Sequence, residues 1–491
     1  MPGVFSKEAR PVRPGAYFDW AAEPTETILP SIGSVVLLGI VHDWGPAGSV
    51  VPTVSLGDFQ SKFGSSTTPG YRAVKQAFKG EGLQGRGGAG EVLVYRLLGT
   101  GGKAAEVDVE NTTATAALTL TAKYPGSFGN VIGYKNHADP DVTKNDFMVY
   151  VNGQFVETYA YPKTDIQDLV DQINATSAWV SATLGTDGTA IAVTVSPDTV
   201  TPLTGGDDGA TLVQSDWQDL VTVCSSARFS LFAAFDLIDP TTLTSLQQWC
   251  QSSNLNGRRF MLVVGGALAD TATTAIARSK TLEAASGGGG GENIVNVGVG
   301  TLVDNEFGTL STSQLAPRIA GILAARGESM SLTFARLADT TAGVLPTDAD
   351  VTACFNGGVV VFGQDSNQAS PIRVEKGLTC YTGGDSSKPY LIYRNPKFVR
   401  TMHGIELDIT EWSTSNAIGS LQVNDATRAY VVGYAHQVIQ ARSDRGVIQT
   451  GFSVGIDPIP PPSDDDEFIA LVYGIAFGRS VEQIFNLVYI S

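Results

Sequence analysis

The chain has 491 residues, 16% of them charged, with 55 glycines and a formal net charge of −17 at pH 7. That length predicts several domains, each with its own core, and the acidic balance excludes nucleic acid or an anionic membrane as the main partner. No window approaches the roughly 18 uninterrupted apolar residues of a membrane-spanning helix, and the sparse charge leaves a polar surface that is cheap to desolvate against other subunits.

Met1-Pro2-Gly3-Val4-Phe5 has neither the basic start nor the apolar run of a secretory signal, so the chain is expected to fold in a cytoplasm. Residues 1–22 end in Arg13-Pro14-Gly15-Ala16-Tyr17-Phe18-Asp19-Trp20. Proline favours an extended path here, and an aromatic segment without a periodic partner is expected to dock elsewhere as an arm. The run 34–42 reads as a buried strand, followed by the turn Trp44-Gly45-Pro46. A short amphipathic helix at 71–78 and a second strand at 91–97 make 23–100 an α/β unit.

From 101 to 210 the texture turns to Thr, Val, Ala and Gly. Alternation at 117–122 and 190–195 signals antiparallel strands with one wetter face. A helix is expected at 165–173, and Gly205-Gly206-Asp207-Asp208-Gly209 closes an inserted, outward-facing β-rich domain. Strands at 229–235, 259–264 and 293–299 then alternate with helices at 242–252, 272–285 and 313–325. This order predicts a parallel sheet covered on both faces across 211–389. Residues 390–483 add a helix near 423–440, the acidic run Asp464-Asp465-Asp466-Glu467 and a strand at 469–477, and 484–490 reads as a final strand. The four cysteines, Cys224, Cys250, Cys354 and Cys380, show no C-x-x-C spacing and read as free buried thiols.

Catalytic motifs fail on inspection. Thr312-Ser313-Gln314-Leu315-Ala316-Pro317 resembles the serine segment of subtilisin-like proteases, but none of His42, His137, His403 and His436 stands where a base is needed. Ser313 then reads as an ordinary hydroxyl and a helix N-cap. Gly85-Arg86-Gly87-Gly88-Ala89-Gly90 precedes a strand instead of opening a helix, so it cannot cradle phosphate. The acidic run 464–467 reads as a hydrated loop, and no catalytic residue, metal or cofactor is expected.

Ordered segments along most of the chain resemble the contractile phage tail sheath family. Arg13-Pro14-Gly15-Ala16-Tyr17 resembles its R-P-G-x-Y arm; residues 35–41, Trp44-Gly45-Pro46, Asp58-Phe59 and Phe63-Gly64 resemble its first strand, turn and D/E-F…F-G element. Ala122-Lys123-Tyr124-Pro125-Gly126-Ser127-Phe128-Gly129-Asn130 is similar to its A-x-Y-P-G-x-x-G-N motif, and Pro317 to Gly321 to a helix of its subtilisin-like domain.

The resemblance implies a multidomain α/β and α+β fold: a subtilisin-like α/β domain, a β-rich insert and extended terminal arms. It implies a non-enzymatic sheath subunit that stacks as hexameric rings around an inner tube and contracts to drive the tube through a bacterial envelope. The partners would be further copies of itself, the tail tube protein, and baseplate and tail terminator proteins, in a virion tail or injection particle assembled in the host cytoplasm. Tyr17, Phe18, Ile484, Phe485, Leu487 and Tyr489 would then belong to intersubunit arms. Both faces of the 484–490 strand are mainly apolar, which demands a partner; pairing with 469–477 of the same chain stays open beside pairing in a neighbour. Arg428, Arg442 and Arg445 would face the tube, with a solvated helix C-terminus as the alternative. A secreted subtilisin-like hydrolase and an adhesin or capsid-like protein are the competing functions.

Overall fold

A computed structural model describes residues 34–480 apart from 65–67, 83–86, 112–114, 142, 186–190, 192–199, 286–289, 365–370 and 459–467. Both expected arms, with Tyr17, Phe18, Ile484, Phe485, Leu487 and Tyr489, lie outside the described residues, as does the acidic run at 464–467.

Seven strands form the central sheet, in the spatial order Val359–Val360, Ile294–Val297, Met261–Val264, Leu231–Ala234, Val35–Val41, Glu91–Leu97, Val50–Thr53. All neighbours are parallel except the last pair. Leu231–Ala234, Met261–Val264 and Ile294–Val297 are buried at every position, because a parallel sheet covered on both faces needs apolar runs instead of alternation. The helices Pro69–Lys79 and Thr312–Arg326 cover one face, and Gln214–Cys224, Pro240–Leu255 and Ala272–Ala284 the other. One sheet therefore combines strands from 35–97 with strands from 231–360. Cys224, Cys250, Cys354 and Cys380 are all buried and free.

The chain between those blocks builds a second core from two antiparallel sheets. One pairs Glu106–Glu110, Ala116–Ala122 and Val180–Leu184; the other orders Thr201–Pro202, Ile132–Ala138, Lys144–Val151 and Gln154–Pro162. Asn152 (φ 51°) and Gly153 (φ 74°) join Lys144–Val151 to Gln154–Pro162; positive φ at both turn residues matches strand twist, which an Asn-Gly pair accepts at low cost. The Ile166–Thr176 helix, N-capped by Asp165, packs Ile166, Leu169, Val170 and Ile173 against these sheets.

The two cores are fastened at the Tyr124-Pro125-Gly126 motif. Arg96, fully buried, donates Nε to the His42 carbonyl (2.7 Å) and Nη1 to the Gly45 and Pro125 carbonyls (2.8 Å each). Gly126 (φ +130°) lies so close that a Cβ would stand 2.1 Å from the Asp43 carbonyl oxygen. Trp44 leaves the central sheet's turn to pack against Tyr124, Phe128 and Trp179 in the second core.

Past residue 390 the chain forms the long helices Pro396–Asn416 and Asp425–Asp444 and an antiparallel hairpin of Ser453–Ile456 with Leu471–Gly474. Sequence reading misses the first helix, because its buried Lys397, Arg400 and Asp408 interrupt the apolar stripe. Its start is nevertheless orthodox, with Asn395 accepting from the Lys397 amide and Pro396 at the first turn. Ile405, Val438, Ile439 and Ile448 make a small core on which Val454 and Tyr473 of the hairpin rest. The result is a mixed α/β, multi-sheet molecule with eleven α-helices among the described residues.

Candidate assembly surfaces

The helix that resembles a serine-protease segment begins at Thr312, one residue before the serine in question. Its N-cap is Ser311, not Ser313: the Ser311 Oγ accepts from the Gln314 amide, and the Gln314 side chain accepts from the Ser311 amide in return. Ser313 is fully buried in the first turn, 2.9 Å from the Ser311 Oγ. His42 is engaged with the Phe63 carbonyl and Thr68, His436 packs tilted against Phe452, and no hydrogen bond joins any histidine to Ser313 among the described residues. A hydroxyl without a base is not an activated nucleophile.

What this helix does carry is a buried ion cluster. The fully buried Arg318 donates Nε to the Gly80 carbonyl (2.7 Å) and pairs through Nη2 with Asp339, while Nη1 stands 3.7 Å from Asp304. Asp304 also accepts from Gln76 (3.0 Å) and Lys79 (2.8 Å). Burial works against ionising Asp304, but Lys79, the Glu306 amide and Gln76 outweigh it and hold the carboxyl below its usual range. Nearby Arg326 pairs with Glu81 at 2.6 Å. At the crossing with Pro69–Lys79, a Cβ on Gly321 would lie 2.1 Å from the Ala77 carbonyl, so the glycine permits the approach. Sequence reading misses Arg96, Arg318 and Arg326; the available signal is a lone cation inside an apolar run, which is almost never buried unless paired.

The three arginines assigned to the tube face are not one island. Arg442 is 1% exposed, with Nε 2.8 Å from Glu328 Oε2 and Nη2 3.1 Å from Glu328 Oε1 and 2.7 Å from Asp408 Oδ2. Buried charge needs that pairing, so Arg442 joins the two long helices to the loop after Arg326 and presents no surface charge. Arg428 and Arg445 are exposed, near opposite ends of Asp425–Asp444, about 25 Å apart at 1.5 Å per residue.

Two surfaces of this region are open. Ser453–Ile456 and Leu471–Gly474 pair only with each other among the described residues, and Ile456 (40% exposed) and Val472 (46%) point outward. The turn between the long helices exposes Ile418 (70%), Leu421 and Val423, and the first turns of Asp425–Asp444 expose Tyr430.

Three cavities lie among the described residues. One, about 460 Å³, lies beside Arg96, Tyr95 and Tyr124 and is bordered by Asp216 and Asp219. A second, about 220 Å³, gathers Arg259, Glu292, Lys388, His403 and Glu406. Burial, then the Arg259 and Arg400 guanidiniums, push the His403 imidazole down to about 3, which makes it a poor base. A third, about 250 Å³, is lined by Lys376, Gly377, Leu378, Leu391, Arg394, Asn395, Phe398, Arg479 and Ser480. No group of three or more His, Cys, Asp or Glu side chains is placed to hold a metal ion among the described residues.

The chain matches no protein-family model. It is 27% identical over 237 residues to the phage-like element PBSX protein XkdK of Bacillus subtilis, a match spanning 47% of each chain, about half that relative's length. Among solved structures it resembles a sheath tail protein of Desulfitobacterium hafniense (TM-score 0.69, 20% identity, covering 94% of this chain and 100% of that one). A sheath tail protein of Listeria innocua gives a TM-score of 0.66 at 20% identity over 91% of this chain and 96% of that one. The contracted helical sheath of the anti-feeding prophage gives 0.53 at 14% identity over 98% and 99%. The chain has the fold of tail sheath proteins.

Proposed function

We propose that this chain is the sheath subunit of a contractile phage tail or related injection particle, a structural protein and not an enzyme. Copies stack as six-fold rings around an inner tube, and contraction of the stack drives the tube through a bacterial envelope. Tube, baseplate and terminator proteins are its partners, and assembly takes place in the host cytoplasm. In this reading the central sheet with Thr312–Arg326 is the subtilisin-like domain of the core, 101–210 is the outer domain, 390–483 faces the tube with Arg428 and Arg445 as its exposed cations, and 1–22 and 484–491 are arms.

The observation that carries the proposal is the hairpin of Ser453–Ile456 and Leu471–Gly474. A two-stranded sheet is marginal by itself, and among the described residues each of its strands keeps a row of backbone donors and acceptors with no strand opposite. An apolar strand delivered by another copy completes such a sheet by strand addition, at roughly 0.5–1.5 kcal/mol net per hydrogen bond before burial of side chains. Residues 484–490 have the composition for it. Deleting 484–491 is expected to leave the thermal midpoint of the monomer unchanged and to abolish long tubes in negative-stain electron microscopy. Truncated protein that still builds full-length tubes, or that no longer folds, defeats the arm assignment.

A further inference from the structure

The cavity of about 220 Å³ is bounded by the last turn of Pro240–Leu255, the short turn Gly291–Asn293 and one face of Pro396–Asn416. Four side-chain oxygens of the residues that line it, Gln251 Oε1, Asn254 Oδ1, Glu292 Oε2 and Asn293 Oδ1, are buried without a hydrogen-bond donor among the described residues. Asn254, Glu292 and Asn293 are themselves only 2%, 7% and 5% exposed. Buried acceptors are normally matched, so four around one cavity point to an occupant. The amide of Asn254 cannot simply be turned over to relieve its oxygen. Its Nδ2 donates to the Cys250 carbonyl (2.8 Å) and the Phe260 carbonyl (2.9 Å), and the reversed amide would set an oxygen against both.

The charges of the wall pair with one another. Glu292 Oε1 accepts from Lys388 Nζ at 2.6 Å, and Arg259 Nε stands 2.5 Å from Glu406 Oε2, close but without the alignment of a hydrogen bond. His403 adds an imidazole lone pair, because burial and the Arg259 and Arg400 guanidiniums keep the ring unprotonated at pH 7. An occupant must therefore bring donors. A carboxylate or phosphate brings acceptors alone, and a water brings two donors together with two acceptors of its own. A primary ammonium brings three donors and no acceptor. A divalent metal fits less well, since no group of three or more His, Cys, Asp or Glu side chains is placed to hold one among the described residues. The remaining wall suits a short carbon chain: Val399 and Met402 lie one helical turn apart, and the Tyr393 ring already faces Lys388 Nζ at 5.6 Å, as a ring does that favours cations.

We propose that this cavity binds a small primary amine, its ammonium held by Glu292, Asn254 and Asn293 and its carbon chain lying along Val399, Met402 and the Tyr393 ring. The bound amine ties the last turn of Pro240–Leu255 to Pro396–Asn416, and so fastens a helix that covers the central sheet to the long helices past residue 390. Its binding is a property of the single chain and does not depend on assembly.

Full-length protein is titrated with n-butylamine at pH 7 by isothermal calorimetry, with n-butanol, butyrate and potassium chloride as matched controls. Saturable binding of the amine in the millimolar range is expected, which is what so small a ligand can reach. The thermal midpoint should rise with the amine and not with the controls. Glu292→Gln removes the charged oxygen and should weaken binding about tenfold or more. Because that change also loosens Lys388, Met402→Trp is made beside it; the larger side chain fills the cavity, leaves the four oxygens in place and should abolish binding. The preference of wild-type protein for the amine over butanol decides without either variant. No saturable binding of butylamine, an equal response to butanol or potassium, or unchanged affinity in Met402→Trp protein of unchanged circular dichroism overturns the proposal. So does tighter binding of N-acetyl-lysine amide than of butylamine, which would give the cavity to a lysine of another chain instead of a free amine.

Discussion

The Thr312–Arg326 helix and the Ser453–Ile456 hairpin partner meet their polar groups in opposite ways. Every cation of the helix is answered inside the chain: Arg318 by Asp304 and Asp339, Arg326 by Glu81. Even its C-terminal carbonyls at Leu323 and Gly327 accept from Arg400, which reaches over from the next helical layer. Among the described residues the hairpin instead leaves its outer edges without a strand and its outward residues Ile456 and Val472 exposed. A region that satisfies itself is built to stay rigid. A region that leaves backbone groups and apolar side chains unmatched offers an edge on which a further strand can pair.

The contrast can be attacked first in the core. Arg318→Ala removes a fully buried cation and leaves Lys79, among the described residues, as the one cation paired with both Asp304 and Asp339, so urea denaturation should report a loss of about 3–5 kcal/mol. A loss below about 1 kcal/mol would mean that the cluster is solvated and the helix no more self-contained than the hairpin.

A pH scan probes the layer between them. Because the folded His403 imidazole is held near 3 while the unfolded one binds a proton near 6.5, the unfolded chain takes up more protons across that window. Stability should therefore be fully present above about 6.5 and decline as the pH falls towards 3. Melting curves of His403→Gln should lose the part of that decline that begins near 6.5. An unchanged profile would mean that His403 titrates freely.

Ser313→Ala should cost about 1 kcal/mol, the value of one neutral hydrogen bond, and leave tube formation intact. Labelling of the wild type by a serine-reactive phosphonate, lost in this variant, would restore a catalytic role. The smallest effect on folding is expected at the hairpin: Ile456→Ser with Val472→Ser should change monomer stability by no more than about 0.5 kcal/mol while reducing tube yield. A large drop in the thermal midpoint would show that these side chains serve the chain's own core.

The sequence was most legible where burial imposes a simple period. The buried strand at 35–41 and the amphipathic helix around 71–78 could be read directly, since every Val35–Val41 position but the last is buried and the helix shows one apolar face. The order of strands and helices after 211 likewise implied the parallel sheet. Illegible were the features made by charge at a distance. Nothing local to Arg442 announces that Glu328 and Asp408 will enclose it, so it read as a surface cation. Ser313 read as a cap because serine two residues earlier offers the same hydroxyl, and only the Gln314 contacts decide between them. The Pro396–Asn416 helix was hidden because its buried charges look like surface positions until their partners are known.

The four isolated thiols have a consequence for where such a part can work. Burial pushes Cys224 and Cys380 up to about 12 and Cys354 to about 11, with Cys250 driven further in the same direction. Disulfide exchange proceeds through the thiolate, which at neutral pH is then about one in ten thousand molecules or fewer at each position. No two cysteines are bonded, and none is exposed to an oxidant. A subunit with this chemistry can pass from a reducing compartment to an oxidising one without forming a cross-link, so its mechanics do not depend on the redox potential of its surroundings.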